Sequence, residues 1–74
     1  MDPKELKEAK KKLWTENFEQ LQKDFDETMR KRGLAAQEGD LKENAAYELL
    51  TEQAQVISAQ IRNVKKILND LEKT

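Results

Sequence analysis

Residues 50–71, LTEQAQVISAQIRNVKKILNDL, carry the reading that decides the fold. Their apolar members Leu50, Ala54, Ile57, Ile61, Val64, Leu68 and Leu71 alternate spacings of four and three without a break. That is the pattern of a helix whose apolar stripe packs lengthwise along another helix, a heptad seam. A second stripe stands in the first half of the chain, where Trp14, Phe18, Leu21, Phe25 and Met29 follow at spacings of four, three, four and four. Asp2-Pro3-Lys4-Glu5 reads as the start of that first helix, with Asp2 at the N-cap, Pro3 at the first helical position and Glu5 closing a capping box.

The two stripes fit each other if the helices run antiparallel. Facing residues should then have position numbers with a constant sum. Trp14 with Val64, Phe18 with Ile61, Leu21 with Ile57, Phe25 with Ala54 and Met29 with Leu50 all give 78 or 79. Half of that value places the reversal at Gly39. The expected fold is all-α, an antiparallel two-helix coiled-coil hairpin forming a single unit over residues 1–74. Helix 1 is expected at about 3–38, a tip at about 37–43 and helix 2 at about 41–72. Helices of roughly 32 residues would each run about 48 Å. Gly33 is a candidate C-cap that would end helix 1 early, but Leu34, Ala35, Ala36, Gln37 and Glu38 are good helix formers and favour continuation. Leu13, Leu49, Val56 and Ile67 lie off the strict seam and either widen the stripe or meet a further surface. At the open end Leu68 and Leu71 face the cluster Lys7, Lys10, Lys11 and Lys12, with Leu6 and Leu13 as their apolar partners.

Composition narrows the function. A chain of 74 residues with 39% charged and 36% hydrophobic residues, two glycines and one proline suits long solvated helices better than a compact globule. Fourteen basic against fifteen acidic residues give a net charge of −1, from which no general affinity for nucleic acid or membrane follows. The absence of cysteine and histidine excludes disulfides, thiol chemistry, cysteine or histidine zinc sites and the usual proton shuttle. No apolar run is long enough for a bilayer or a signal-peptide core, so the expected location is cytoplasmic.

Chemistry therefore falls to carboxylates, and two of them stand at the reversal, in the run Gly39-Asp40-Leu41-Lys42-Glu43-Asn44-Ala45-Ala46-Tyr47. Asp40 followed three residues later by Glu43 fits a capping box, which needs no function beyond starting helix 2. Capping also presents a side chain outward. Asp40 and Glu43 are hard oxygen ligands suited to Mg²⁺ or Mn²⁺, but two acids cannot furnish the six ligands Mg²⁺ requires. The chain is thus a poor metalloenzyme alone. It could lend its acids to a metal that another protein holds, such as the second Mg²⁺ of a two-metal phosphoryl-transfer site. A carboxylate pair for glycoside hydrolysis fits less well, because nothing here makes a sugar pocket.

The run from Gly39 to Tyr47 resembles the tip motif of the bacterial Gre transcript-cleavage factors, GreA and GreB. Glu52-Gln53, Ile61, Val64 and Leu68 fall where that family's second helix carries similar residues. The resemblance implies a coiled-coil hairpin that enters the secondary channel of bacterial RNA polymerase. There Asp40 and Glu43 would help hold the second catalytic Mg²⁺ and its attacking water while the polymerase cleaves backtracked RNA. It also implies an accessory factor, not an enzyme, with no cofactor of its own and Mg²⁺ supplied by the polymerase. The partners are then that polymerase and, indirectly, the RNA 3′ end, with no membrane or small-molecule substrate, and a monomer is expected. Leu41, Asn44 and Tyr47 would support the tip or touch the channel. Arg30, Lys31, Arg32 and Lys42 are candidate contacts to RNA, although such a charge run on a coiled-coil face is more often only solvated.

The sequence departs from the family pattern in three places. Ala46 stands where the family usually has Glu, and Thr51 and Gln60 replace positions that are often basic. The family's second, FKBP-like domain is not encoded within these residues, so the sequence is expected to represent an N-terminal domain or a short relative. Two other readings stay open: a Gre-like inhibitor that plugs the channel, and a plain coiled-coil interaction or oligomerisation module. Sedimentation separates the last, because a tight dimer or four-helix bundle would hide the acidic run.

Overall fold

The computed structural model describes residues 1–38 and 41–73, and the side chains of residues 1–37 and 44–73. Helix α1 spans Pro3–Glu38 and helix α2 spans Leu41–Lys73. They pack antiparallel as a hairpin, with no strand among the described residues. The molecule is a rod of 57 × 14 × 13 Å between Cα extremes. That length is what 36 residues at 1.5 Å per residue require, so each helix runs the whole length of its partner.

The first helix starts as its cap residue dictates. The Glu5 amide donates to Asp2 Oδ1 at 2.8 Å and the Leu6 amide to the Asp2 carbonyl at 3.0 Å. The first satisfies one of the N–H groups that a helix start leaves without partners, and the second is the first i→i−4 bond of the helix. Gly33 lies within α1, which continues to Glu38. A Cβ added at Gly33 would meet nothing within 4 Å.

The buried stripe of α2 follows the sequence seam, with Ala54 and Val64 most enclosed at 7% and 4% exposure. On α1 the seam is Trp14, Phe18, Leu21, Phe25, Thr28, Arg32 and Ala35, which keeps the alternation of four and three unbroken. Met29, expected on the seam, lies at its edge at 37% exposure, and Thr28 takes the buried position. The reason is geometric: a second consecutive step of four after Phe25 rotates a side chain off the stripe, and a step of three does not. Thr28 can occupy the buried position because its hydroxyl donates to the Asp24 carbonyl at 2.7 Å, one turn earlier.

A two-helix rod encloses little. Ala35, Ala54 and Val64 are the buried apolar residues among those described, while Trp14, Phe18, Leu21 and Phe25 remain partly exposed. Leu13, Leu49 and Val56 stand well off the stripe at 62%, 56% and 58% exposure, so they do not widen it; Ile67 is partly buried. Leu6 is half exposed and lines one shallow groove with Pro3, Lys7, Lys10 and Leu71, while Leu13 stands off the stripe. Lys7 and Lys11 are partly buried on the seam positions that precede Trp14, which long alkyl stems can cover, and the Lys11 ammonium pairs with Glu72.

Cross-helix contacts fix the antiparallel alignment from end to end. Arg32 reaches Tyr47 and Thr51, Lys65 lies over the Phe18 ring at 5.8 Å, and Lys11 pairs with Glu72. Their position numbers sum to 79 at the lowest and 83 at the highest, against the expected 78 or 79. Long polar side chains account for the upper values, since they reach along the partner by up to a turn. The hydrogen-bonded Lys11 ammonium, with a weaker contribution from Lys7, holds the Glu72 carboxyl below the usual carboxylate range. Any stability from this exposed pair is present above the unfolded pKa and is lost as pH falls through the lowered one.

Two outcomes follow for thermal unfolding monitored by circular dichroism. Val64→Ala should cost about 2 kcal/mol, or roughly 8–16 °C in Tm for a domain of this size, while Val56→Ala should change stability by less than about 0.5 kcal/mol. Equal effects at the two positions would mean that the stripe is wrongly assigned. Gly33→Ala should stabilise the hairpin by about 0.5–1 kcal/mol, because a helical glycine in open space loses only conformational entropy; a lower Tm would show that the site has no room for a methyl group.

Candidate functional site

The residues of interest gather at the closed end of the hairpin. Asp40 lies outside the described residues. Leu41, Lys42 and Glu43 form the first turn of α2, and their side chains lie outside the described set. Glu43 precedes Tyr47 by four residues on α2, so the two share one helix face a turn apart. Asn44 is exposed beside them.

Just below this turn, one side chain ties the two helices together. Arg32 sits on the α1 seam between Thr28 and Ala35, where a packed stripe would ordinarily carry an apolar residue. Its Nε donates to Thr51 Oγ1 at 2.7 Å, and its Nη2 donates to the Tyr47 hydroxyl at 2.6 Å. The guanidinium carbon also lies 4.5 Å from the centre of the Tyr47 ring. Thr51 is fixed in turn, because its hydroxyl donates to the Tyr47 carbonyl at 2.8 Å. One partly buried cation thus engages two side chains that are successive turns of α2.

The fork shape of guanidinium is what allows this. Arginine presents parallel donors and a flat face at once, so it can bond to two oxygens while lying against a ring. A lysine ammonium could serve one of these partners but not all of them. A cation over a partly desolvated tyrosine contributes roughly 0.5–2 kcal/mol, and hydrogen bonds from a charged donor add to it. Removing the polar partners while leaving the cation would therefore cost more than removing the whole arrangement.

The basic residues of the sequence reading separate into distinct settings. Arg30 is exposed. Lys31 is paired along its own helix with Glu27 at 3.5 Å, with both side chains more than half exposed. Arg32 is turned inward and its donors are engaged as described. Lys42 falls among the side chains outside the described set. Tyr47 packs across the hairpin under Arg32. Thr51, noted in the sequence only as a departure from a basic position, is the acceptor on which Arg32 depends. The signal was available: Arg32 falls on the continuation of the spacing through Phe25 and Thr28.

The chain has few means for chemistry of its own. Among the described residues no group of three or more His, Cys, Asp or Glu could hold a metal ion. No described helix is long and apolar enough to cross a membrane. Asp40 and Glu43 supply two hard oxygen groups, which suits a shared Mg²⁺ and falls short of a dedicated site.

The family model described as "Transcription elongation factor, N-terminal" matches residues 3–72, nearly the whole chain. Comparison with curated proteins and with solved structures gives no match.

A double-mutant cycle checks the Arg32 contacts. Arg32→Met and Tyr47→Leu, singly and together, should show a coupling free energy of about 1–2 kcal/mol in urea unfolding. A value near zero would mean that water competes fully for the guanidinium.

Proposed function

From the premise that the chain belongs to the GreA/GreB N-terminal family of transcription elongation factors, we propose that it stimulates cleavage of backtracked RNA by bacterial RNA polymerase. In this reading the hairpin enters the polymerase's secondary channel with the residue 39–43 end leading. What carries the reading is family membership over residues 3–72 together with Asp40 and Glu43 at the junction of two helices in a rod 14 × 13 Å across between Cα extremes.

The shape supports it physically. A compact domain of 74 residues would have a radius of gyration of about 11 Å, whereas this hairpin has 16.9 Å and a far smaller cross-section than such a domain. It can bring charge to a site at the bottom of a narrow passage. The two acids would complete the coordination of an Mg²⁺ that the polymerase holds, and that ion supplies Lewis-acid activation of water. The chain's own contribution is to deliver Asp40 and Glu43 and to hold them there. Nothing in this role requires a pocket or a resident metal. Arg30 and Lys42, near the same end in sequence, would contribute phosphate contacts to the RNA.

RNA cleavage in stalled, backtracked elongation complexes tests the proposal. The chain at high concentration should accelerate cleavage well above the polymerase alone. The Asp40→Asn/Glu43→Gln double variant should fall back to the polymerase's own rate. Asparagine still caps a helix well, so circular dichroism should report an unchanged fold. Full activity in the double variant would rule out the metal role; inactivity of the parent, with the channel shown to be occupied, would point to an inhibitor instead.

A further inference from the structure

We infer that Arg32 and Thr51 are positioning residues for the two acids: they pin the second and third turns of α2 to α1, and so set where Asp40 and Glu43 are presented. This rests on the cleavage role proposed above, and it assigns to Arg32 a task other than contact with RNA.

The argument begins with what holds a hairpin at its closed end. Among the described residues, Leu50 is the last large apolar group of the stripe on the way to the closed end, and beyond it Ala35 on α1 and Ala46 on α2 contribute a methyl group each. Leu34 and Leu49 are turned outward at 52% and 56% exposure. Among these residues apolar packing therefore thins towards the end where the acids need to be fixed. The Arg32 fork fills that gap, joining the seam of α1 to Tyr47 and Thr51 at 2.6 and 2.7 Å. Tyr47 and Thr51 are locked to each other by the Thr51 hydroxyl, so the contact holds a length of helix and not a single side chain.

The span from this contact to the acids is short. Glu43 is four residues before Tyr47, about 6 Å of helix, and the helix between them is continuous. A tilt of the first turns of α2 about the hairpin axis would carry directly to Glu43 and to the junction that precedes it. Carboxylates that must complete a metal's coordination tolerate little displacement, and a misplacement of about 1 Å can cost on the order of 100-fold in rate. Two of the Arg32 donors are directed to neutral hydroxyl oxygens, which suits positioning, since such partners direct the fork by geometry.

Two variants separate positioning from RNA contact. Arg32→Met removes the fork and keeps an unbranched stem, while Thr51→Val removes its acceptor and leaves the arginine charge in place. Each is compared with the parent chain in cleavage of backtracked RNA across a range of chain concentration, with circular dichroism confirming helicity. Positioning predicts that the maximal rate falls roughly tenfold or more in both variants while the half-saturating concentration stays within about twofold. An RNA-contact role predicts a raised half-saturating concentration and a weaker salt dependence for Arg32→Met, with Thr51→Val unaffected; that result would overturn the inference, as would parental rates in either variant. If the parent chain fails to stimulate cleavage, the cleavage proposal fails separately, and amide hydrogen exchange then decides the clamp. Faster exchange at residues 44–51 in both variants, with residues 57–64 unchanged, supports it; unchanged exchange throughout overturns it.

Discussion

Each described helix buries its apolar stripe against the other, and the features of the hairpin depend on this one shared surface. Leu13, Leu49 and Val56 lie off that surface and are exposed in the hairpin. Aromatic residues can be only partly enclosed, and the most buried positions fall to alanine, valine and threonine. Stability has to come from a long, regular stripe, because no single layer of it is thick.

That regularity explains why the fold was legible. The spacing from Leu50 to Leu71 admits one helix face, the complementary spacing from Trp14 to Phe25 supplies its partner, and the short connection between α1 and α2 makes the pairing antiparallel. Beyond Phe25 the apolar Met29 masks the rule, because the strict period passes through the polar Thr28. A threonine that bonds to its own helix loses little on burial, so period outweighs polarity there. The same holds for Arg32. It belongs to a run of three basic residues and reads as solvated charge, although its position on the stripe puts it inside. Sequence patterns give the period of a helix; which polar groups find partners across a seam depends on distances that only coordinates supply.

The candidate site divides along the same line. Asp40 and Glu43 stand out in the sequence because the chemistry of acids at a reversal is a property of residue type and place. The Arg32, Tyr47 and Thr51 arrangement does not stand out, because it joins residues 15 and 19 positions apart through a fork geometry. Family membership and the thin rod meet at one physical point: a hairpin can separate the place where an accessory chain is gripped from the place where its charge is used. The open end, with Lys7 and Lys11 laid along the stripe and Glu72 held by Lys11, is chemically unlike the closed end.

The antiparallel alignment also orders the steps by which the chain can form. Arg32 meets Tyr47 across a separation of 15 residues, whereas Lys11 meets Glu72 across 61. Closing the longer loop first costs about 1.2 kcal/mol more in chain entropy than closing the shorter one. Once the Arg32 contact is made, each further layer of the stripe closes only a few additional residues. Loop entropy therefore favours zipping from the closed end towards the termini, with the contact nearest the acids among the first to form and the lysine-covered end among the last.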